Sequence, residues 1–381
     1  MSLSRRKSIA ILGGGVILAA TTATGLTLTR KPDLALSPWA AAGTYDDPRM
    51  RALSYAVLSP NPHNRQPWMV DLSEADTVTL YVDTDRLLPH TDPFSRQITI
   101  GLGCFLEVMR LAALNDGLAV EFDLFPEGSS AQNLDERPVA RCRFVPTTAP
   151  KDPLFAQVPH RRTLKEPYDT TRPVPSDALD RIAKSAIHGS RIDVTTDTNA
   201  VAALRELSAE AFLIEFRTDR TLQESVDLFR IGAREVNANP DGIDFSGPMF
   251  EMLRMTGLFS RETAMDRDST SYVQAERMVV ENVMTAMAHL WQITETNDRG
   301  DQIRAGQDWV RINLAATAEG IGLQPLSQGL QEFPEMADIY KTLHETLAPG
   351  GGTVQMWCRL GYGPQVPISP RWPVEKTILN A

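Results

Sequence analysis

Chemistry is most concentrated in this sequence at His160-Arg161-Arg162-Thr163, which follows a short apolar run, Leu154 to Val158, and precedes Pro167. Two guanidinium forks and the Thr163 hydroxyl at the edge of a fold can hold a phosphate dianion. Arg binds phosphate oxygens bidentately, each charge-assisted hydrogen bond contributing roughly 1.5–3 kcal/mol. Near the C-terminus, Arg371 in Ser369-Pro370-Arg371 offers a third cation. The simpler reading of both motifs is solvated surface arginine. The loop Ser59-Pro60-Asn61-Pro62-His63-Asn64-Arg65-Gln66-Pro67-Trp68 is more specific. Its prolines forbid a continuing helix. Its amides (Asn61, Asn64, Gln66) beside an aromatic suit the edge of a planar heterocycle held away from water; the simpler reading is a capped turn with a buried Trp. A dinucleotide fingerprint is missing, because Gly101-Leu102-Gly103 lacks the third glycine at the required spacing. A serine-hydrolase elbow and a P-loop are also absent from the sequence.

The elements that must position these residues follow from periodicity and caps. Asp46-Asp47-Pro48 starts a helix reaching about Leu58, Thr77 to Asp83 alternates as a strand, and Asp92-Pro93 caps a long helix through Asn115 that Gly117 ends. Leu118 to Phe125, Val139 to Phe144, Leu290 to Glu295 and Thr353 to Gly361 read as strands. Pro175 to Ser185, Asn199 to Arg217 and Glu276 to Met287 read as helices. The segment Asn237 to Phe259 is apolar but broken by Pro240-Asp241-Gly242 and Gly247-Pro248, which fits either a core-packing loop or a lid over a ligand. An internal repeat organises the rest. Gly103, Leu111-Ala112-Ala113 and Gly117-Leu118 recur as Gly306, Leu314-Ala315-Ala316 and Gly320-Ile321, always 203 positions on. Chance recurrence of a cheap helix pattern is the alternative; with the chain length, the repeat favours two similar α+β halves, 46–150 and 151–381.

A 381-residue chain that is 42% hydrophobic and 23% charged is neither wholly disordered nor a polytopic membrane protein. The net charge is -10, yet Arg5, Arg6, Lys7, Arg30 and Lys31 fall in the first 31 residues, which hold no acid. The body is therefore still more acidic, and nucleic acid is excluded as a partner. Three cysteines far apart make neither a disulfide framework nor a zinc site, and six scattered histidines form no ligand pair at helical spacing. Residues 1–30 carry a basic start and no charge from Ser8 to Thr29. The pair Arg5-Arg6 resembles a twin-arginine signal, which exports folded, often cofactor-loaded proteins; a membrane anchor through residues 8–29 is the alternative. Residues 31–45, rich in Pro and Ala, read as a linker. The chain is thus expected to be exported beyond the cytoplasm by the twin-arginine machinery, or anchored there.

Taken together, the Asn-Pro-His-Asn-Arg-Gln-Pro-Trp loop, His-Arg-Arg-Thr, the Leu-Ala-Ala helix running into Gly-Ile-Gly-Leu-Gln-Pro-Leu-Ser-Gln328, and Arg359-Leu-Gly-Tyr-Gly-Pro364 resemble the nitroreductase-like flavoproteins, most closely their long single-chain, Acg-type branch. The resemblance covers about residues 46 to 373. It implies an α+β nitroreductase-like fold in which a two-subunit protein is fused into an intramolecular pseudo-dimer. It also implies one composite FMN site per chain. The first half would give Ser59, Pro60, Asn61, Asn64 and Gln66; the second would give Arg161, Arg162, Thr163, the Pro325, Leu326 and Ser327 backbone, and Arg371. Near residue 190, where a second site would need its own amide loop, the sequence lacks the motif. No side-chain catalyst is implied, because flavin carries the redox chemistry. The implied activity is FMN-dependent two-electron reduction of a nitroaromatic, quinone or similar small electron acceptor, with the electron donor open. Export to a compartment without NAD(P)H, and a covering 237–259 segment, would instead suit a protein that stores or sequesters FMN.

Overall fold

The two Leu-Ala-Ala helices, Arg96–Asn115 and Arg299–Ala318, cross at the centre of the molecule through paired glycines. A Cβ on Gly103 would lie 2.2 Å from the Ile303 carbonyl oxygen, and one on Gly306 would lie 2.0 Å from that of Ile100. Both pairs obey the repeat offset, so the crossing is a pseudo-twofold contact in which only glycine lets the backbones approach. Arg96 and Arg299, also 203 positions apart, are both buried and each reaches across it. Arg96 donates to the Gln355 and Leu330 carbonyls, and Arg299 to those of Phe94 and Ser130. The computed structural model describes residues 31–380, and the expected signal segment lies outside the described residues. By length and composition Arg96–Asn115 could cross a membrane, but 89% of its apolar window is buried inside the protein.

Each core helix serves a sheet of the same plan. The first sheet contains β1 (Trp68–Asp71), β2 (Thr77–Val82), β3 (Leu118–Leu124) and β4 (Ala140–Pro146) in the order β1-β2-β4-β3. Between them, β6 (Phe229–Ile231) and β7 (Ile243–Phe245) form a small parallel pair. The second large sheet contains β5 (Arg191–Thr195), β8 (Ala288–Thr294), β9 (Gly322–Pro325) and β10 (Thr353–Gly361) in the order β5-β8-β10-β9. All pairings in these two four-strand sets are antiparallel, and in both the long helix joins the second strand to the third. The fold is α+β, with two halves of one topology. It departs from simple fusion at the C-terminus: β11 (Ile378–Asn380) returns to pair in parallel with β1, so the second half completes the first half's sheet.

Local chemistry shifts some boundaries. The long helix begins at Arg96, not beside Asp92, because Ser95 adopts φ 55°; the Asp92 carboxylate still caps it by accepting the Gln97 and Ile98 amides. Within the stretch read as a linker, Asp33–Ala41 forms a helix with Ala35 and Pro38 buried. Nine residues with an internal proline are too few to hold a helix alone. It is held from outside: Ala35 N–H donates to Asn237 Oδ1, and the Ala35 carbonyl accepts the Arg371 amide.

Candidate functional site

The proline-broken loop leaves the helix Pro48–Ala56, lies against the first core helix, and enters β1. A Cβ on Gly101 would stand 3.2 Å from both Asn61 Cβ and Pro62 Cδ, so glycine sets how closely the loop sits. His63, Asn64 and Gln66 take φ of 47°, 52° and 50°. Three side-chain-bearing residues in the left-handed region within four positions is a concentration of strain that the surrounding bonds must hold. Asn61 Oδ1 accepts the Gln66 amide at 2.7 Å, and Gln66 Nε2 donates to the Pro240 carbonyl at 2.7 Å. Gln66 Oε1 accepts the Trp372 amide, and the Asn64 carbonyl accepts the Gly242 amide. Asp241, between those last anchors, pairs with Arg65, Arg86 and Arg230. The start of the Asn237–Phe259 segment is therefore strapped over the loop, while Phe245, Phe250 and Phe259 cluster with Phe229.

The expected cations converge on the same loop. Arg371 donates to Asn64 Oδ1 at 2.7 Å and to the Leu58 and Ser59 carbonyls at 3.2 Å; Arg161 reaches the Leu58 carbonyl at 3.5 Å. Ser59 is buried, its hydroxyl donating to the Cys104 carbonyl, with Pro60 half-buried beside it. Arg162 is half-buried and donates to the Pro159 and Arg161 carbonyls. No carboxylate among the described residues offsets these charges. Burial alone pulls Arg162 below the ordinary guanidinium range, and burial with its neighbours' repulsion pulls Arg371 down to about 9. Burial, with Arg162 adding repulsion, pulls Arg161 down to about 10. Arg359 and Arg299 are also buried, but carbonyls and side chains surround them. Arg161 Nη1 and Arg371 Nε, by contrast, have no partner at all. With His63 Nδ1 and Trp372 Nε1 they make up half of the eight buried polar side-chain atoms so orphaned among the described residues. Such atoms are costly unless something satisfies them.

Thr163 makes no side-chain hydrogen bond among the described residues; the next residue, Leu164, donates its amide to the Leu323 carbonyl and so ties the arginine segment to β9. Pro325 ends β9 opposite Cys358. The Leu326 amide is already spent on the Trp357 carbonyl, whereas Ser327 opens a short 3-10 turn and its carbonyl accepts from Gln97 of the first core helix. Among the described residues these backbone groups make no hydrogen bond to the amide loop or to the three arginines.

Three groups here were not singled out from sequence. Lys165, four residues after Arg161, is solvent-accessible yet surrounded by enough protein that desolvation lowers its pKa, with Glu215 opposing. Burial lowers His63 to about 4, helped by Lys165 and Arg65. Burial raises Glu215 to about 7 against hydrogen bonds from Gln331 and Gln328. Only Lys165 had a usable signal, its spacing from the arginine pair.

At the matching place in the second half, the Ile187, His188 and Ser190 amides all donate to the buried Asp308 carboxylate, at 2.6, 2.8 and 3.1 Å. Beside it buried Glu107 binds Arg110, Arg311 and His188.

No family model matches the chain. A Mycobacterium tuberculosis protein provisionally named NAD(P)H nitroreductase Rv3131 is 25% identical over 347 residues, covering 85% of this chain and 91% of its own. The provisionally named NAD(P)H nitroreductase acg of the same organism is 23% identical over 346 residues, covering 85% and 93%. Among solved structures, a provisionally named nitroreductase from Anabaena variabilis covers 92% of this chain and 93% of its own at 12% identity, with a TM-score of 0.39. The FMN-dependent nitroreductase NfnB from Mycobacterium smegmatis, in complex with NADPH, covers 58% and 94% at 16% identity and 0.36. The sequence relatives cover 85% of this chain and more than 90% of their own length. Along most of its length, this chain is similar to the nitroreductase-like proteins of the Acg type.

Proposed function

We propose that the chain is an FMN-dependent oxidoreductase of the nitroreductase type, binding one FMN between its halves. One observation carries this reading: the buried guanidinium groups of Arg161 and Arg371 meet at the amide loop with orphaned N–H groups and no carboxylate partner. A phosphate dianion supplies the charge and acceptors they lack. Arg162 and Thr163 extend the same edge. Asn61, Asn64 and Gln66 frame the loop that faces the heterocycle, and Lys165, four residues after Arg161, adds a further cation. Pro325, Leu326 and Ser327 form the opposite backbone edge, where the Ser327 amide is the donor left over once Leu326 is paired to Trp357.

When bound, FMN supplies two-electron chemistry toward a nitroaromatic, quinone or similar acceptor. This chain's residues hold the phosphate, keep the strained loop in place and exclude water with the strap at Pro240–Gly242. The relatives' names point to NAD(P)H as the donor. Asp308, occupying the matching amides in the second half, supports a single site. Stopped-flow reduction of the flavin-loaded chain by NADPH or NADH, then reoxidation by menadione or nitrofurazone, tests turnover; a flavin that neither donor reduces refutes the donor assignment.

Export is a separate proposal, since in a compartment without NAD(P)H the flavin would take its electrons from another donor. Residues 1–30 act as a twin-arginine leader, which places the folded, loaded protein beyond the cytoplasm. Changing Arg5 and Arg6 to Lys should retain precursor in the cytoplasm while a Sec-dependent reporter is exported normally, and equal export of the altered protein would refute it.

A further inference from the structure

The helix Asp33–Ala41 does more than cover the chain's N-terminal end: it lays one aromatic face over the arginine cluster. The Trp39 ring centroid stands 4.8 Å from the Arg162 guanidinium carbon and 5.7 Å from that of Arg371. Its indole Nε1 donates to the Ser369 carbonyl at 2.8 Å, which fixes the ring's orientation. Arg162 gives one terminal nitrogen to the Pro159 and Arg161 carbonyls and makes no other hydrogen bond among the described residues. A ring over a guanidinium stabilises the cation without using its N–H groups, because the attraction is to the π face and the donors point out along the edge. Stacking thus restricts the arginine and leaves its donors available.

We infer that Trp39 is a further binding residue of the site, forming the outer wall of the phosphate cradle and positioning Arg162 and Arg371 toward the anion. This rests on the flavin phosphate reading above. Because the helix has too few residues to stand alone, it is held over the cradle by outside contacts, Asn237 at Ala35 and, on the cradle side, Arg371, Arg162 and Ser369. Loss of Trp39 should act on the phosphate and not on the ring system of the ligand.

The test uses the full chain stripped of flavin and titrated, by flavin fluorescence quenching, with FMN and separately with riboflavin, which lacks the phosphate. Trp39→Ala should weaken FMN by about tenfold or more and leave riboflavin affinity unchanged. Trp39→Phe keeps a π face and loses only the Ser369 hydrogen bond, so its FMN affinity should lie between the two; this guards against a misfolded Ala variant. Equal weakening of FMN and riboflavin in both variants would make the helix a general structural cover and overturn the inference. FMN binding unchanged in both would overturn it as well. A wild-type chain that binds neither flavin would overturn the flavin reading itself, and with it this one, before any substitution is made.

Discussion

Arg161 makes one long hydrogen bond and leaves Nη1 unsatisfied, so in the ligand-free chain its charge is a net cost. Arg161→Met should therefore move two measurements in opposite directions. The flavin-free protein should melt higher, while FMN affinity falls about tenfold to a hundredfold, the worth of one charge-assisted hydrogen bond; a fall in both would make Arg161 structural. Glu215 gives a pH test. Its folded pKa of about 7 lies above the ordinary 4.5, so the folded state holds the proton more tightly and loses relative stability as pH rises from about 4.5 through 7. Relative to wild type, Glu215→Gln should gain on the order of 3 kcal/mol between pH 5 and pH 8 in urea denaturation, and a pH-independent difference would show that Glu215 is not buried as described. At this scale the sequence was legible where residue type alone limits the chemistry, as at Arg161 and Arg162. Trp39 and Glu215 were not, because what distinguishes them is enclosure by segments distant in the chain.

The helix crossing at Gly103 and Gly306 sets the geometry of everything above it. Gly103→Ala and Gly306→Ala each place a methyl against a backbone carbonyl that cannot rotate away, so each should destabilise by about 2 kcal/mol or more, and by similar amounts. Gly101→Ala is the contrast: its methyl meets Asn61 and Pro62, so it should shift the loop and weaken FMN more than it lowers stability. Equal stability losses at all three positions, measured by urea denaturation, would contradict that division of roles. The long helices and the alternating strands were readable because their periodicity spans many residues. The helix Asp33–Ala41 was not, since a nine-residue segment with Pro38 inside has no local signal strong enough and is held by Asn237 and Arg371. The start at Arg96 was displaced for a similar reason: Asp92 caps the helix across a break that Ser95 introduces.

The repeat glimpsed as three short matches extends in the folded chain to Arg96 with Arg299, Ile100 with Ile303, and two sheets of one strand order. What the repeat could not reveal is where the halves differ. The C-terminal strand β11 joins the first half's sheet, and Asp308 takes up the Ile187, His188 and Ser190 amides of the second half. Residues 31–150 and 151–381, produced together as separate chains, should reassemble and bind FMN, while neither should bind it alone; stoichiometric binding by 151–381 alone would remove the composite site. How much flavin one intact chain holds tests the single composite site most directly. Purified full-length protein, saturated with FMN and freed of excess, should show one flavin per chain by visible absorbance, and Arg161→Ala with Arg162→Ala should abolish it. No flavin at saturation, two per chain, or full occupancy in the double variant would contradict it.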